Sequence, residues 1–163
     1  LRLSMIGSAM RKQLKSDQVI KGNPIGEMLG AYQSHRGDNI EDLESKLDEI
    51  ILRNVPKLEK GISLIKLIAS VAPLLGLLGT VVGMIATFQA ITLFGTGDPK
   101  LMAGGISEAL VTTMQGLVVA VPMLFLYTIV QTQSRRLIQV LEEQSAGFVA
   151  RYQERLHAAK AAA

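Results

Sequence analysis

Two stretches of this sequence carry no charged residue: Leu67 to Gly97, 31 positions, and Ala109 to Ser134, 26 positions. A charge-free apolar run of about 18 residues or more is long enough, at about 1.5 Å per residue, to cross the hydrocarbon of a bilayer. The expected fold class is therefore an all-α membrane protein with two long antiparallel transmembrane helices and helical extensions on one side. The competing reading is a soluble bundle with two unusually apolar helices, whose side chains would then be buried. Neither block resembles a signal peptide, because both lie far from the N-terminus and exceed a signal's apolar length.

The charges give orientation. Leu1 to Lys66 holds eleven of the 17 lysines and arginines, Arg135 to Ala163 holds five, and the connector between the apolar blocks holds only Lys100. Under the positive-inside rule both ends lie in the cytoplasm and the connector faces outward. The expected organisation is a cytoplasmic helical region at 1–61, a transmembrane helix at 62–97, a connector at 98–106, a second transmembrane helix at 107–134 and a cytoplasmic helix at 135–163. Membrane lipid is thus a partner of this chain.

Composition excludes several classes. The chain has no cysteine, so disulfides, thiol catalysis and cysteine-ligated metals are ruled out. A net charge of +3, 4% aromatics and no reading motif speak against nucleic acid. No nucleophile–base pair or metal-ligand cluster appears, and His35 and His157 stand alone, so no catalytic residue, metal or cofactor is expected.

In the N-terminal region, Leu1 to Lys21 reads as a basic helix stopped by Gly22-Asn23-Pro24. A short helix is expected around Ile25 to His35, ended by Arg36-Gly37. Asp38 then offers an N-cap with Glu41 three residues on. Ile40, Leu43, Leu47, Ile50, Ile51, Leu58 and Ile62 follow as one apolar stripe on a charged helix interrupted or kinked at Pro56. After the second span Leu137, Leu141, Phe148, Tyr152 and Leu156 keep a helical period, as if that span continued into the cytoplasm and packed on this stripe. Between the spans, Gly95, Gly97, Asp98 and Pro99 signal a turn, and Ser107, after Gly104 and Gly105, is the expected cap of the second span.

Both spans carry small residues on one side: Ala72, Gly76, Gly79, Thr80, Gly83, Ala86 and Thr87 in the first, Gly105, Ala109, Thr112, Thr113, Gly116 and Ala120 in the second. Lipid gives helices no hydrophobic reason to associate, so close backbone approach through small residues has to supply it. Gly76, Gly79, Gly83 and Gly116 are the candidate packing positions. Pro73 and Pro122 free carbonyls one turn back, which is tolerated where protein or water surrounds the helix.

The polar residues within the spans are Thr80, Thr87, Thr112, Thr113 and Gln115, and Glu108 opens the second span. A buried threonine often bonds its own backbone, which is the plain reading of each. Several of them beside small faces also fit a hydrated or hydrogen-bonded seam. Glu108 is either a functional acid or an interfacial one favoured by the helix dipole. No Asp, Glu, His, Lys or Arg lies mid-span, so a proton carrier at that depth would have to belong to another chain.

These residues carry a resemblance. APLLGLLGTVVGM (72–84), the connector and GISEALVTTMQGLVVAVP (105–122) closely resemble the MotA/TolQ/ExbB proton-channel family, most of all its ExbB and TolQ branch. The likeness runs from Asn23 to Arg136 and includes NPIGEMLGAY (23–32). The connector ITLFGTGDPKLMAGGISEAL also resembles ExbB-type proteins with a long periplasmic extension that serve specialised TonB systems. The resemblance implies a homo-oligomeric ring, a pentamer in the family, in the bacterial inner membrane. The ring encloses the single span of an ExbD- or TolR-like partner whose aspartate carries the proton. The proton motive force then drives a TonB- or TolA-like protein, energising outer-membrane transport. The family's pore-lining threonines match Thr80 and Thr113, and its functional glutamate matches Glu108. Thr87 and Thr112 are further candidates for the proton pathway. The family has three spans and this chain shows two, so a first span is expected ahead of Leu1. A Tol-Pal-type or flagellar-stator-type motor subunit and a structural scaffold without conduction remain alternatives.

Overall fold

The computed structural model describes residues 2–16, 18–20, 22–35, 39–95 and 99–161. Among the described residues five helices follow one another: α1 (Arg2–Gln13), α2 (Pro24–Ser34), α3 (Ile40–Glu59), α4 (Ile62–Phe94) and α5 (Pro99–Ala161). Among the described residues there is no strand. The chain divides into two compact units, residues 1–60 with 131–163, and residues 61–130.

In the first unit, α2 starts where the residue types demand it. Asn23 takes an extended conformation and its Oδ1 accepts from the Gly26 amide at 2.8 Å, with Pro24 at the first helical position. Its Nδ2 donates to the Ile20 carbonyl at 2.8 Å. The buried Gln13 side chain pins the same loop. Its amide nitrogen donates to the carbonyls of Ser16 and Gln18, and its oxygen accepts from the Ile20 amide at 2.7 Å. The α3 cap is Asn39, whose Oδ1 accepts from the Glu41 amide at 3.1 Å. The expected cap Asp38 and the stop Arg36-Gly37 lie outside the described residues.

The apolar stripe of α3 is the core of this unit. Leu43 and Leu47 are fully buried and cluster with Met10, Met28, Ile50, Leu58 and, from the far part of α5, Leu141, Phe148 and Tyr152. Tyr32 stacks on Phe148 with centroids 5.2 Å apart. The α3 helix runs through Pro56 to Glu59 without a break. Its last carbonyls lack helical partners, and that of Leu58 accepts from the buried Ser134 hydroxyl at 3.1 Å. Glu27 links α2 to α3: Arg53 donates to its Oε2 at 2.9 Å and Asn54 at 3.3 Å. Burial pushes this carboxyl up, but those two bonds and the charges of Arg53 and Lys57 outweigh it and hold it below its ordinary value.

The second unit is a helical hairpin. Gly61 (φ +88°) opens α4 in the left-handed region, and Gly95 (φ +76°) closes it with its amide on the Ile91 carbonyl at 2.8 Å. Gly97 and Asp98 of the expected turn lie outside the described residues. The second long helix begins at Pro99, so Ser107 sits well inside it and is not its cap. Proline suits the first helical turn because its missing amide is unpaired there anyway. Gly104 and Gly105 cost helix propensity without breaking the helix.

Both long helices present apolar side chains outward. Only 17% of the most apolar stretch of each is buried, and Leu74, Leu75, Leu78, Leu117, Val118 and Phe125 are all exposed. A soluble bundle would have covered them. The soluble alternative is thereby set aside, and the protein is an all-helical membrane protein.

Candidate functional site

The seam of the hairpin is built on its small residues. A Cβ added to Gly76 would lie 3.0 Å from the Thr112 carbonyl oxygen and 3.1 Å from the Thr113 Cα. One added to Gly83 would lie 2.8 Å from the Ala109 Cβ, and one on Gly116 would lie 2.7 Å from the Ala72 carbonyl oxygen. Gly79 backs onto the Thr112 side chain, and Gly105 onto the Thr87 hydroxyl. Positions rise along α4 as their partners fall along α5, so the helices run antiparallel.

Such close approach lets hydroxyls reach across. Thr113 donates to the Gly76 carbonyl at 3.2 Å. Thr112 donates to its own Ala109 carbonyl at 2.7 Å and also reaches Gly76 at 3.3 Å. Thr80 donates to the Leu77 carbonyl at 2.6 Å, and the buried Thr87 to the Gly83 carbonyl at 2.9 Å. The hydroxyls of Thr113 and Thr80 therefore end on adjacent carbonyls of α4, those of Gly76 and Leu77. Pro73 and Pro122 lie within continuous helix and free the carbonyls of Ala69 and Val118.

The site candidates do not all converge. Gly76 and Gly116 face each other, and each residue turns the helix by about 100°. That puts Thr80 about 40° and Thr113 about 60° round to the same flank of the hairpin. Glu108 lies about 80° round the other way, with Gln115 on its side. Two grooves follow that second flank. One, of about 650 Å³, is lined by Thr112 and Gln115 beside Gly76, Gly79 and Gly116. The other, of about 790 Å³ near the connector, is lined by Thr87, Gly105 and Glu108 among apolar neighbours such as Phe94. Thr80 lines neither, and Thr113 lines a separate surface with Pro122. The structure thus brings Thr80 and Thr113 together and sets Glu108 on the opposite flank. Among the described residues no cluster of His, Asp and Glu suits a metal ion.

Two apolar helices packed through glycine, with threonine hydroxyls in the seam, define a membrane protein with two apolar helices long enough to span the bilayer. The sequence model of the MotA/TolQ/ExbB proton channel family matches residues 4–143. The chain belongs to that family, and the match is wider than the Asn23 to Arg136 span on which the resemblance rests. An ExbB homolog for biopolymer transport from Methanothermobacter thermautotrophicus is 33% identical over 106 residues, 65% of this chain and 37% of that protein. The biopolymer transport protein ExbB of Aquifex aeolicus is 38% identical over 96 residues, 59% of this chain and 62% of that one. The Tol-Pal system protein TolQ of Haemophilus influenzae is 30% identical over 105 residues, 64% and 44% respectively. The matched region thus spans less than two thirds of each relative's length, and both branch names appear among them.

Proposed function

We propose that this chain is a subunit of a proton-driven energy-transducing channel of the bacterial inner membrane, with both of its ends in the cytoplasm. Copies of it form a ring, a pentamer by family likeness, around the single transmembrane helix of an ExbD- or TolR-like partner. An aspartate of that partner carries the proton, and a TonB- or TolA-like protein transmits the work to the outer membrane. Energising TonB-dependent transport is the favoured role. The Tol-Pal role follows if the cognate partner is TolR-like, and the stator role ranks lower because the similar proteins carry ExbB and TolQ names.

The observation that carries the reading is the meeting of Thr80 and Thr113 on adjacent carbonyls in a hairpin with no mid-span acid of its own. On this reading their flank lines the pore, and Glu108 with Thr87 and Thr112 forms a second polar line toward the connector. A scaffold reading also has support, since each of these threonine hydroxyls already bonds a backbone carbonyl.

Substitution separates the two. With the partner co-expressed, Thr80→Ala and Glu108→Ala abolish proton-driven transport while the complex still co-purifies. Full activity in both variants, or loss of assembly, favours the scaffold. Purification of the parent without any small, single-span, aspartate-bearing protein overturns the channel reading.

A further inference from the structure

The positive charge of this chain is concentrated at its start. Leu1 to Gly26 holds five lysines and arginines against one acid, Asp17, in a chain whose net charge is +3. Helix α1 itself carries no acid. Arg11 and Lys12 lie in its last turn, and Lys15 follows where the chain turns, its amide on the Lys12 carbonyl at 3.2 Å. All three side chains are exposed, and none forms a salt bridge among the described residues. At about 100° per residue, Arg11 and Lys12 share one arc of α1 with Ser4, Ser8 and Met5. That arc is exposed throughout, whereas Met10 and Gln13 on the other side are buried.

The packing of the first unit sets α1 at the height where the second apolar block ends. That block runs to Ser134, whose hydroxyl donates to the Leu58 carbonyl. Leu137 lies three residues further along α5, about 4.5 Å at 1.5 Å per residue. It touches α1 near its middle, since a Cβ added to Gly7 would lie 3.4 Å from the Leu137 Cδ2. The end of α1 is held near the same level by another route. Asn54, one helical turn before Leu58, donates to Glu27. Asn23, one turn before Glu27, reaches the Gln13 side-chain oxygen at 3.5 Å. From there α2 leads away from the block, because Tyr32 stacks on Phe148 much further along α5. The first residues of α2, and Gln13 with them, are therefore back at about the level of Ser134. Arg135 and Arg136, both exposed and also without a salt bridge, stand at this level too.

We propose that this face of α1 docks on the surface of the membrane that the chain spans. Arg11, Lys12 and Lys15, with Arg135 and Arg136, would bind the headgroups of anionic phospholipids there. The occupant follows from position and charge together. The apolar block ends in the bilayer surface, and α1 lies within about one helical turn of that end. Cations within a Debye length, about 8 Å, of an anionic leaflet are drawn to it, and the long stems of lysine and arginine let their charges reach further. Each such residue strengthens the attraction about fivefold, so Arg11, Lys12 and Lys15 give a preference for anionic over neutral lipid of about a hundredfold. Met5, 67% exposed on the same arc, adds an apolar contact. The lipid contact does not depend on the channel reading, which supplies only the assignment of the leaflet as the cytoplasmic one.

Ser8 lies within the arc and the chain has no cysteine, so Ser8→Cys carries a single fluorophore. The full chain is placed in lipid nanodiscs containing a trace of headgroup spin-labelled phosphatidylcholine, which quenches a fluorophore at headgroup level. Quenching is expected to rise as phosphatidylglycerol replaces phosphatidylcholine. The triple variant Arg11→Gln, Lys12→Gln, Lys15→Gln loses that rise, as does the parent in about 1 M salt, where the Debye length falls to about 3 Å. The charge-matched triple Lys46→Gln, Arg151→Gln, Lys160→Gln, at exposed positions further from Ser134, keeps it. Unchanged far-UV circular dichroism shows that the variants remain folded. Quenching that ignores phosphatidylglycerol, or an equal loss in both triples, overturns the proposal and leaves the channel reading standing. Labelling of Ser8→Cys by an impermeant maleimide from outside spheroplasts overturns the cytoplasmic assignment instead, while the quenching in discs still decides the lipid contact.

Discussion

Gly116→Ala is the sharpest probe of the hairpin. The new Cβ would lie 2.7 Å from the Ala72 carbonyl oxygen, 3.0 Å from the Gly76 Cα and 3.2 Å from the Gly76 nitrogen, all backbone atoms of α4. Ordinary contact starts near 3.4 Å, so the helices must separate by about 0.7 Å at this point. The same movement carries the Thr113 and Thr112 hydroxyls, now 3.2 and 3.3 Å from the Gly76 carbonyl, to about 4 Å, beyond hydrogen-bonding reach. Overpacking costs about 1–3 kcal/mol, and two cross-helix bonds in a membrane add about 0.6 kcal/mol each. The total is about 2–4 kcal/mol, a factor of about 30 to 700 in the closed-to-open ratio of the hairpin. Fluorophores on cysteines at the exposed positions Leu67 and Ile129 would report splaying by energy transfer as SDS is titrated into micelles. Gly104→Ala is the control, because its Cβ meets nothing within 4 Å, and it is expected to match or exceed the parent. If Gly116→Ala falls within about 0.5 kcal/mol of the parent, the tight seam is wrong.

Other outcomes follow from the first unit. Leu141 is fully buried among α3 side chains, so Leu141→Ala costs about 2–5 kcal/mol, measured as a drop in the thermal midpoint of this region's circular dichroism. Ser134→Ala strands the Leu58 carbonyl at about 1–3 kcal/mol, visible as faster amide exchange at the end of α3. Glu27 is held below its ordinary pKa, so the stability it contributes is complete above the unfolded carboxyl's pKa and fades as pH falls through the folded one. Glu27→Gln should flatten that acid limb. The pair is largely exposed, so the effect stays below about 1 kcal/mol, and an unchanged acid limb would refute the assignment.

Much of this architecture was legible because it is local or periodic. The charge-free blocks announced the two long helices, and the glycine spacing in each announced a face that admits another backbone. The α3 stripe and its match on α5 were equally plain, since both repeat at three and four residues. The start of α5 was misread because Pro99 serves turns and helix starts alike, and two glycines before Ser107 favoured the later boundary. The roles of Gln13 and Ser134 could not be read at all, because their partners depend on how the chain returns on itself. The separation of Glu108 from Thr113 was available in principle. Five residues turn a helix by about 140°, so the two cannot share a flank whatever their motif.

The adjacent ends of the two threonine hydroxyls have a chemical consequence. Thr80 gives its proton to the Leu77 carbonyl and Thr113 gives its own to Gly76. What each then offers outward is a pair of oxygen lone pairs and no donor. A carboxylic acid that keeps its proton can donate to such a spot, whereas a carboxylate finds only negative edges there. On the proposed channel reading, this place in the hairpin therefore suits a partner's acid in its protonated form better than its carboxylate.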